Sequence, residues 1–308
     1  MYNQQVPTFS VFSVIKNIES RKDQFLRSVQ SVLSQDFEDF EFVIQDGAST
    51  DGTLELLAGF DDNRIVLVSE SDSCAEEGFF RVLKRCRGSY IASCLSDEEL
   101  APCALQKAYD LFKENPDIAA FYGNYGSVNE HGKKWGPHIP GHPFTIEDYV
   151  CQRIVPPFCS SFFRRSHLEK AGLHTHHWRY NIGEFEFWIR VAGTGNIIYK
   201  PLMLSYFGHH SSSNTSNAWL YDILTSQRAT VMQKIFDENS HLKESSVSVE
   251  QAISGNYEWA AISVRGIEGE SERYKLFMRL AFSCNPHDPH MKFTRKLNIT
   301  TNQSDGSY

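Results

Sequence analysis

The chain of 308 residues lacks any apolar run near the ~20 residues that a membrane-spanning helix requires. Its first residues, Met1-Tyr2-Asn3-Gln4-Gln5, have neither the basic start nor the apolar stretch of a signal peptide, so a cytoplasmic place is expected. Positive charge is in the minority: 30 Lys and Arg stand against 38 Asp and Glu, a formal net charge of −8. That balance excludes a general nucleic-acid binder, which needs a basic surface to neutralise phosphates. A local basic pocket for one pyrophosphate stays compatible with it. No two of the seven cysteines have the two-residue gap of a zinc knuckle or a redox pair. Reduced, mostly buried thiols are expected, and disulfides are not. No internal repeat is visible.

What the chain does have is alternation. Thr8 to Ile15 (TFSVFSVI) is a short apolar, β-branched run and reads as a buried strand. Ser20 stands where a helix cap is wanted, followed by Phe25, Leu26, Val29, Val32 and Leu33 at helical spacing. Phe40 to Gln45 is a second strand, Thr53 to Leu57 a short helix and Arg64 to Val68 a third strand. The pattern repeats as a helix (Phe79 to Cys86), a strand (Ser89 to Leu95), a helix (Ala104 to Phe112) and a strand (Ile118 to Tyr122). Such alternation predicts a mainly parallel sheet with helices on both faces, and ligands beyond the carboxyl ends of its strands. Asn124 to His142 is rich in Gly, Pro, Asn and His and reads as a loop. Beyond it the expected elements are a strand at Ser160 to Arg164, a helix at Glu184 to Ala192, and strands near Ile197 to Tyr199 and Met203 to Phe207. Residues 216 to 283 read as about three helices, with apolar positions such as Leu220, Ile223, Leu224 and Val231. The polar end reads as disordered.

Chemistry concentrates where strands end. Gln45-Asp46-Gly47-Ala48-Ser49-Thr50-Asp51-Gly52-Thr53 puts an acid at a strand end, then Gly and small hydroxyl residues. Asp51 and Ser49 read as turn and cap residues, whereas the Asp46 carboxylate would face a ligand cleft. The strand Ser89 to Leu95 runs into Ser96-Asp97-Glu98-Glu99. Clustered carboxylates there suit Mg²⁺ or Mn²⁺ shared with a diphosphate. Glu99 reads instead as part of an acidic helix start. Arg81, Lys84, Arg85 and Arg87 form a basic face that is either solvated or turned to a diphosphate. His174, His176 and His177 lie close in sequence but on no helical face, which argues against a dedicated metal site.

The string around Asp46 resembles the Asp-Gly-Ser-Thr-Asp-Gly-Thr signature of family 2 glycosyltransferases, which are inverting enzymes of GT-A type. The resemblance covers roughly residues 7 to 210 and implies an α/β, GT-A (Rossmann-like), mainly parallel sheet with a helical C-terminal region. It implies that Asp46 hydrogen-bonds the nucleotide base. The opening turn, Val14-Ile15-Lys16-Asn17, matches the family's nucleotide-binding turn, with Lys16 in place of a stacking aromatic; Glu19 lies near an acidic base-contacting position. Ser96 and Asp97 match the Asp-X-Asp region, so Asp97 is the implied metal ligand, although Leu95 replaces its first acid. In the string from Asp72 to Arg81, Glu77 matches a donor-binding acid and Arg81 a Lys that would face the diphosphate, while Cys74 and Phe80 depart from the pattern. Asn181-Ile182-Gly183-Glu184-Phe185-Glu186-Phe187-Trp188 resembles the segment that carries the catalytic base, which makes Glu184 that base. Glu186 is then structural or acceptor-orienting, with Phe187 and Trp188 core residues or sugar platforms. Some GT-A enzymes complete their metal shell with a late His, and in this chain that place falls to His209, with His210 beside it.

The expected activity is transfer of a sugar from a nucleotide-sugar, by resemblance a UDP-sugar, with Mn²⁺ or Mg²⁺. The acceptor would be a hydroxyl of a saccharide or lipid-linked sugar in surface polysaccharide synthesis, with peripheral association at the inner membrane face. The expected layout is a transferase domain at 1–215 (nucleotide half 1–125, acceptor half 126–215), helices at 216–292 and a tail at 293–308. A non-catalytic relative, either sugar-nucleotide-binding or a scaffold, is the alternative suggested by the departures at Lys16, Leu95, Cys74 and Phe80. A nucleotidyltransferase is a third reading, disfavoured because no Gly-rich phosphate loop opens the chain.

Overall fold

The computed structural model describes residues 6–138, 143–173, 183–210, 219–265, 267 and 269–286, with only the backbone of 219–223. His174, His176 and His177, the tail at 293–308, and the side chains of Leu220 and Ile223 lie outside the described residues.

The first strand sets the architecture. In β1 (Phe9–Ile15) every residue but Val14 is buried, as expected of a strand covered on both faces. It pairs in parallel with β2 (Phe40–Asp46) and with β4 (Tyr90–Ser93), and β2 pairs in parallel with β3 (Ile65–Ser69). The crossovers are α1 (Lys22–Leu33), α2 (Thr53–Ala58) and α3 (Ala75–Arg85). Odd-numbered β1 residues Phe9, Val11 and Ile15 join one core with Phe40, Phe42, Ile44 and the α1 residues Phe25, Val29 and Val32. Phe12 points the other way, onto Phe79 of α3 and Phe158. Each such side chain contributes roughly 1.5–3 kcal/mol on full burial, so β1 is held from both sides.

After β5 (Glu99–Leu100) and α4 (Ala104–Glu114) the sheet becomes mixed. The long β6 (Ile118–Asn129) carries β7 (Lys134–His138) and β8 (Ser161–Arg164) antiparallel along one edge, and β9 (Asn196–His209) parallel along the other. The strand order is β3-β2-β1-β4-β8-β6-β9-β5, with β7 also on β6. Two expectations fail here. The predicted loop at 124–142 is in its described part mostly strand, because Gly and Asn in β6 and β7 are held by ladder bonds that outweigh their local turn preference. The two predicted strands near 197 and 203 are one, and Pro201 interrupts its pairing with β6 without ending it.

Ser20 does not cap α1: residues 19–21 form a 3₁₀ turn and no side chain caps the helix that follows. The helix predicted at Phe79 begins four residues earlier, at Ala75. A short helix α5 (Ile146–Val150), then α6 (Arg165–Ala171) and α7 (Gly183–Ala192), complete the described helices before the C-terminal region.

The chain divides into two units, 1–145 with 154–216, and 146–153 with 217–308. The second contains α8 (Trp219–Glu238), α9 (Ser240–Lys243), α10 (Val249–Val264) and α11 (Ser271–Cys284). α10 begins with a capping box of Ser248 and Gln251. Asn256 within it donates to the Val150 carbonyl at 2.9 Å, and Gly255 packs on the Cys151 backbone, which ties segment 146–153 to these helices. Among the described residues no helix is long and apolar enough to cross a membrane.

Candidate active site

The carboxyl ends of β1 and β2 open into two loops that are laced together. The Asn17 amide donates to Ser49 Oγ at 2.7 Å, the Thr50 amide to Asn17 Oδ1 at 2.9 Å, and the Ile18 amide to Thr53 Oγ1 at 2.9 Å. Glu19 belongs to this lacing: its amide donates to Asp51 Oδ2 and its carboxylate accepts from the Gly52 amide at 3.1 Å. A Cβ on Gly52 would lie 2.6 Å from Glu19 Oε1, the far end of a flexible side chain, which would have to shift. The Thr53 hydroxyl, ahead of the other influences, holds the Asp51 carboxyl below its usual range.

Asp46 closes the second loop from within. Its carboxylate is fully buried and accepts from the Ser49 amide at 2.9 Å, from Ser69 Oγ at 2.6 Å and from Ser49 Oγ. Asp46 therefore shapes the turn, and the expectation of a carboxylate open to the cleft is not met. Lys16 reaches Asp72 at 3.3 Å, a residue wedged between Gly47 and Gly78.

At the end of β4 the chain turns through Ser96 into Asp97. Asp97 Oδ2 lies 3.1 Å from His210 Nε2, and the same nitrogen is 3.1 Å from Arg21 Nη1. Gly208 makes this approach possible, since a Cβ there would stand 2.2 Å from the Asp97 carbonyl. His210, not the predicted His209, is therefore the histidine set against Asp97. His209 points to the opposite face of β9, where its Nε2 meets Ser127 Oγ at 2.9 Å. Burial, then neighbouring His138, holds His209 below the usual histidine range.

The Asp97 and His210 pair fits a divalent cation. Nε2 can donate to the Asp97 carboxylate or accept from the Arg21 guanidinium, according to its tautomer. As a neutral imidazole with its lone pair turned from Arg21, it could join the Asp97 oxygen on a cation. Two ligands ~2.1 Å from one cation and at right angles to it lie about 3 Å apart. A nitrogen with an oxygen donor favours Mn²⁺ over Mg²⁺, which prefers all-oxygen shells. Among the described residues no group of three or more His, Cys, Asp or Glu side chains could hold a metal alone. A bound phosphate and water would supply further ligands.

Next to Asp97, Glu98 turns inward and its Oε2 accepts from the Leu95 amide at 2.9 Å. Burial first, then the Asp97 charge, pushes its pKa up to about 8, with a smaller push from Glu184. A carboxyl raised in the fold favours stability below its unfolded value near 4.5, and that contribution is lost as pH rises toward about 8. In EDTA the melting temperature is thus expected to fall between pH 5 and 8, and Glu98→Gln to flatten that fall. Parallel pH curves of the two proteins would refute the burial of an ionisable Glu98.

Glu98 sits in the wall of a cavity of about 750 Å³ that also takes in Val14, Glu76, Phe80, Leu95, Tyr125, Phe158 and Glu184. Glu184 enters it from the first turn of α7, exposed, while Phe185 to Ile189 behind it are buried. Glu186 lies 3.6 Å from Arg190 on the same helix. Phe187 and Trp188 pack on Phe158 and Phe163, so both are core residues and neither is a sugar platform. Phe80 and Leu95, the two departures from the resemblance, form part of an apolar wall.

Of the expected site residues only Val14 and Glu184 line this cavity; Lys16, Glu19, Asp46, Ser96, Asp97 and His209 do not, and Glu77 and Arg81 are turned from it. Ala75, Glu76, Phe79 and Phe80 line it from one face of α3, and at 100° per residue Glu77 and Arg81 fall on the other. There Arg81 pairs with Glu77 and, at 3.2 Å, with Glu70, and donates to the Ser71 carbonyl. Ser73 holds Glu77 below the usual carboxylate range. The loop at 155–159 and Tyr125, which line the cavity, do not stand out in the sequence; their one local signal is the Pro156-Pro157 pair.

The family model for glycosyl transferase family 2 matches residues 10–172, more than half of the chain. The chain belongs to glycosyl transferase family 2. It is 28% identical over 131 residues to the chondroitin synthase of Escherichia coli, a match covering 42% of this chain and 19% of that protein. The chain thus spans far less than the full length of this relative. The structure of S. aureus TarS 1-349 in complex with UDP-GlcNAc superposes with a TM-score of 0.52 at 14% identity, covering 95% of this chain and 76% of that one. Mannosyltransferase PcManGT from Pyrobaculum calidifontis, in complex with GDP-Man and Mn²⁺, gives the same TM-score and identity, covering 95% of this chain and 84% of that one. At such identity the shared property is the GT-A fold.

Proposed function

We propose that this family 2 member transfers a sugar from a nucleotide-sugar, most simply a UDP-sugar, to a hydroxyl of a saccharide or lipid-linked acceptor, with inversion. The observation that carries the reading is the Asp97 and His210 pair, 3.1 Å apart, beside a cavity into which Glu184 projects. Asp97 and His210 would hold Mn²⁺, whose charge stabilises the departing nucleoside diphosphate. Glu184 takes the proton of the acceptor hydroxyl as that oxygen attacks the anomeric carbon from the side opposite the leaving diphosphate. Glu98 accepts from the Leu95 amide, and burial raises its pKa in the metal-free protein. The laced loops around Asp46, Glu19 and Lys16 shape the nucleotide subsite, with Val14 between that subsite and the sugar. Calorimetric titration with UDP, GDP and dTDP, each with and without Mn²⁺, tests the reading. One nucleotide should bind, and more tightly with Mn²⁺. Binding of none of them would favour the non-catalytic scaffold, to which Leu95 and Phe80 in the cavity wall also point.

A further inference from the structure

Resting on the transferase reading, we propose that β7, β6 and β9 form an aromatic strip that binds an extended saccharide acceptor, with Trp135 as its outer platform. Cross-strand partners share a face of a sheet, and residues two apart along a strand do too. The register sets Trp135 and Phe207 on either side of Ser127, and His138 beside Tyr125. These five residues, with His209, lie on the face that Tyr125 and Phe207 present to the cavity. The rings run outward from the cavity without a gap: Phe207 meets His209 at 5.3 Å between centroids, and His209 meets Trp135 at 5.3 Å. Tyr125 meets His138 at 5.0 Å in a second row. Ser127 Oγ bonds both imidazoles, at 2.8 Å to His138 and 2.9 Å to His209, which fixes the ring planes.

Trp135 itself is 42% exposed, an unusual state for the largest apolar side chain in a strand. Its strand is anchored on the other face of the sheet. The preceding Lys134 points to the other face, pairs with Glu99 at 2.6 Å and lies 4.2 Å over the Tyr206 ring. A half-exposed indole beside imidazoles with polar edges suits the amphipathic faces of pyranose rings: C–H groups pack on the ring and hydroxyls bond at its rim. A linear oligosaccharide whose terminal residue enters the cavity near Glu184 would lay its following residues along His209 and Trp135. A single sugar would not reach that far.

The test is titration of the UDP-saturated, Mn²⁺-loaded protein with chitotetraose, chondroitin tetrasaccharide, cellotetraose and maltotetraose, each beside its monosaccharide. At least one tetrasaccharide should bind about tenfold tighter than its monosaccharide, in keeping with one or two aromatic contacts. Trp135→Ala should bring the two within about twofold, and Trp135→Tyr should restore the preference. UDP affinity should not change in either variant, which also reports that they fold. If no tetrasaccharide outbinds its monosaccharide, or Trp135→Ala keeps the preference, the strip is not an acceptor site. Failure of the wild type to bind UDP would instead overturn the transferase reading beneath it.

Discussion

Glu184→Gln is expected to lower kcat by about 10²- to 10⁴-fold, the usual worth of a general base, with the donor KM within about threefold of wild type. Glutamine keeps the size and the hydrogen-bonding edge of the side chain but cannot take the acceptor proton. Among the described residues, three carboxyl side chains line the cavity: Glu76, Glu98 and Glu184. Glu98 is buried and bonded to the Leu95 amide, which makes it the least accessible of the three. Glu76 and Glu184 remain, and Glu184 is at the helix start that the family resemblance marks. The comparison is therefore between Glu184→Gln and Glu76→Gln under saturating donor. Steady-state rates decide it: a larger loss in the Glu76 variant would move the base to α3. Loss of nucleotide binding in the Glu184 variant would make its role structural.

Asp97→Ala should reduce kcat/KM by about 10²- to 10³-fold, equivalent to the several kcal/mol of charge stabilisation a bound cation supplies. The more telling readout is thermodynamic. In wild type the nucleotide should bind more tightly with Mn²⁺; in the variant the affinities with and without Mn²⁺ should coincide. His210→Ala should weaken the Mn²⁺ response in the same direction, while His209→Ala should leave it intact, because His209 faces Ser127 and not Asp97. An Mn²⁺ response that survives in Asp97→Ala would remove the cation from this site. An equal loss in the two histidine variants would refute the assignment to one of them.

Much of the nucleotide half was legible in the residues. Strands at 9–15, 40–46 and 65–69 follow from short apolar runs between turn signals. Burial on both faces explains why the first two of those runs do not alternate. The ends of β2 and β4 could be located from the same kind of run, so Asp46 and Asp97 stood out as acids at strand ends. The helix expected at Glu184 to Ala192 is present as α7, whose described part begins at Gly183. Elsewhere local signals misled. Glycine, asparagine and proline between 124 and 137 read as loop, yet backbone pairing between β6, β7 and β9 held them in a sheet.

By itself the sequence determined an alternating α/β chain, acids at the ends of its parallel strands and a carboxylate at the start of a later helix, since each depends on neighbours a few residues away. Tertiary structure decided which of those groups meet. His210, just past the end of β9, faces Asp97 while His209 turns to Ser127, and Gly208 leaves room for the Asp97 carbonyl. Arg81 turned from the expected diphosphate to Glu70 and Glu77 because the other face of α3 lines the cavity. Asp46, bonded to Ser49 and Ser69, became the anchor of a turn. These outcomes rest on helix phase and contacts between distant segments, neither of which a local pattern of residues encodes.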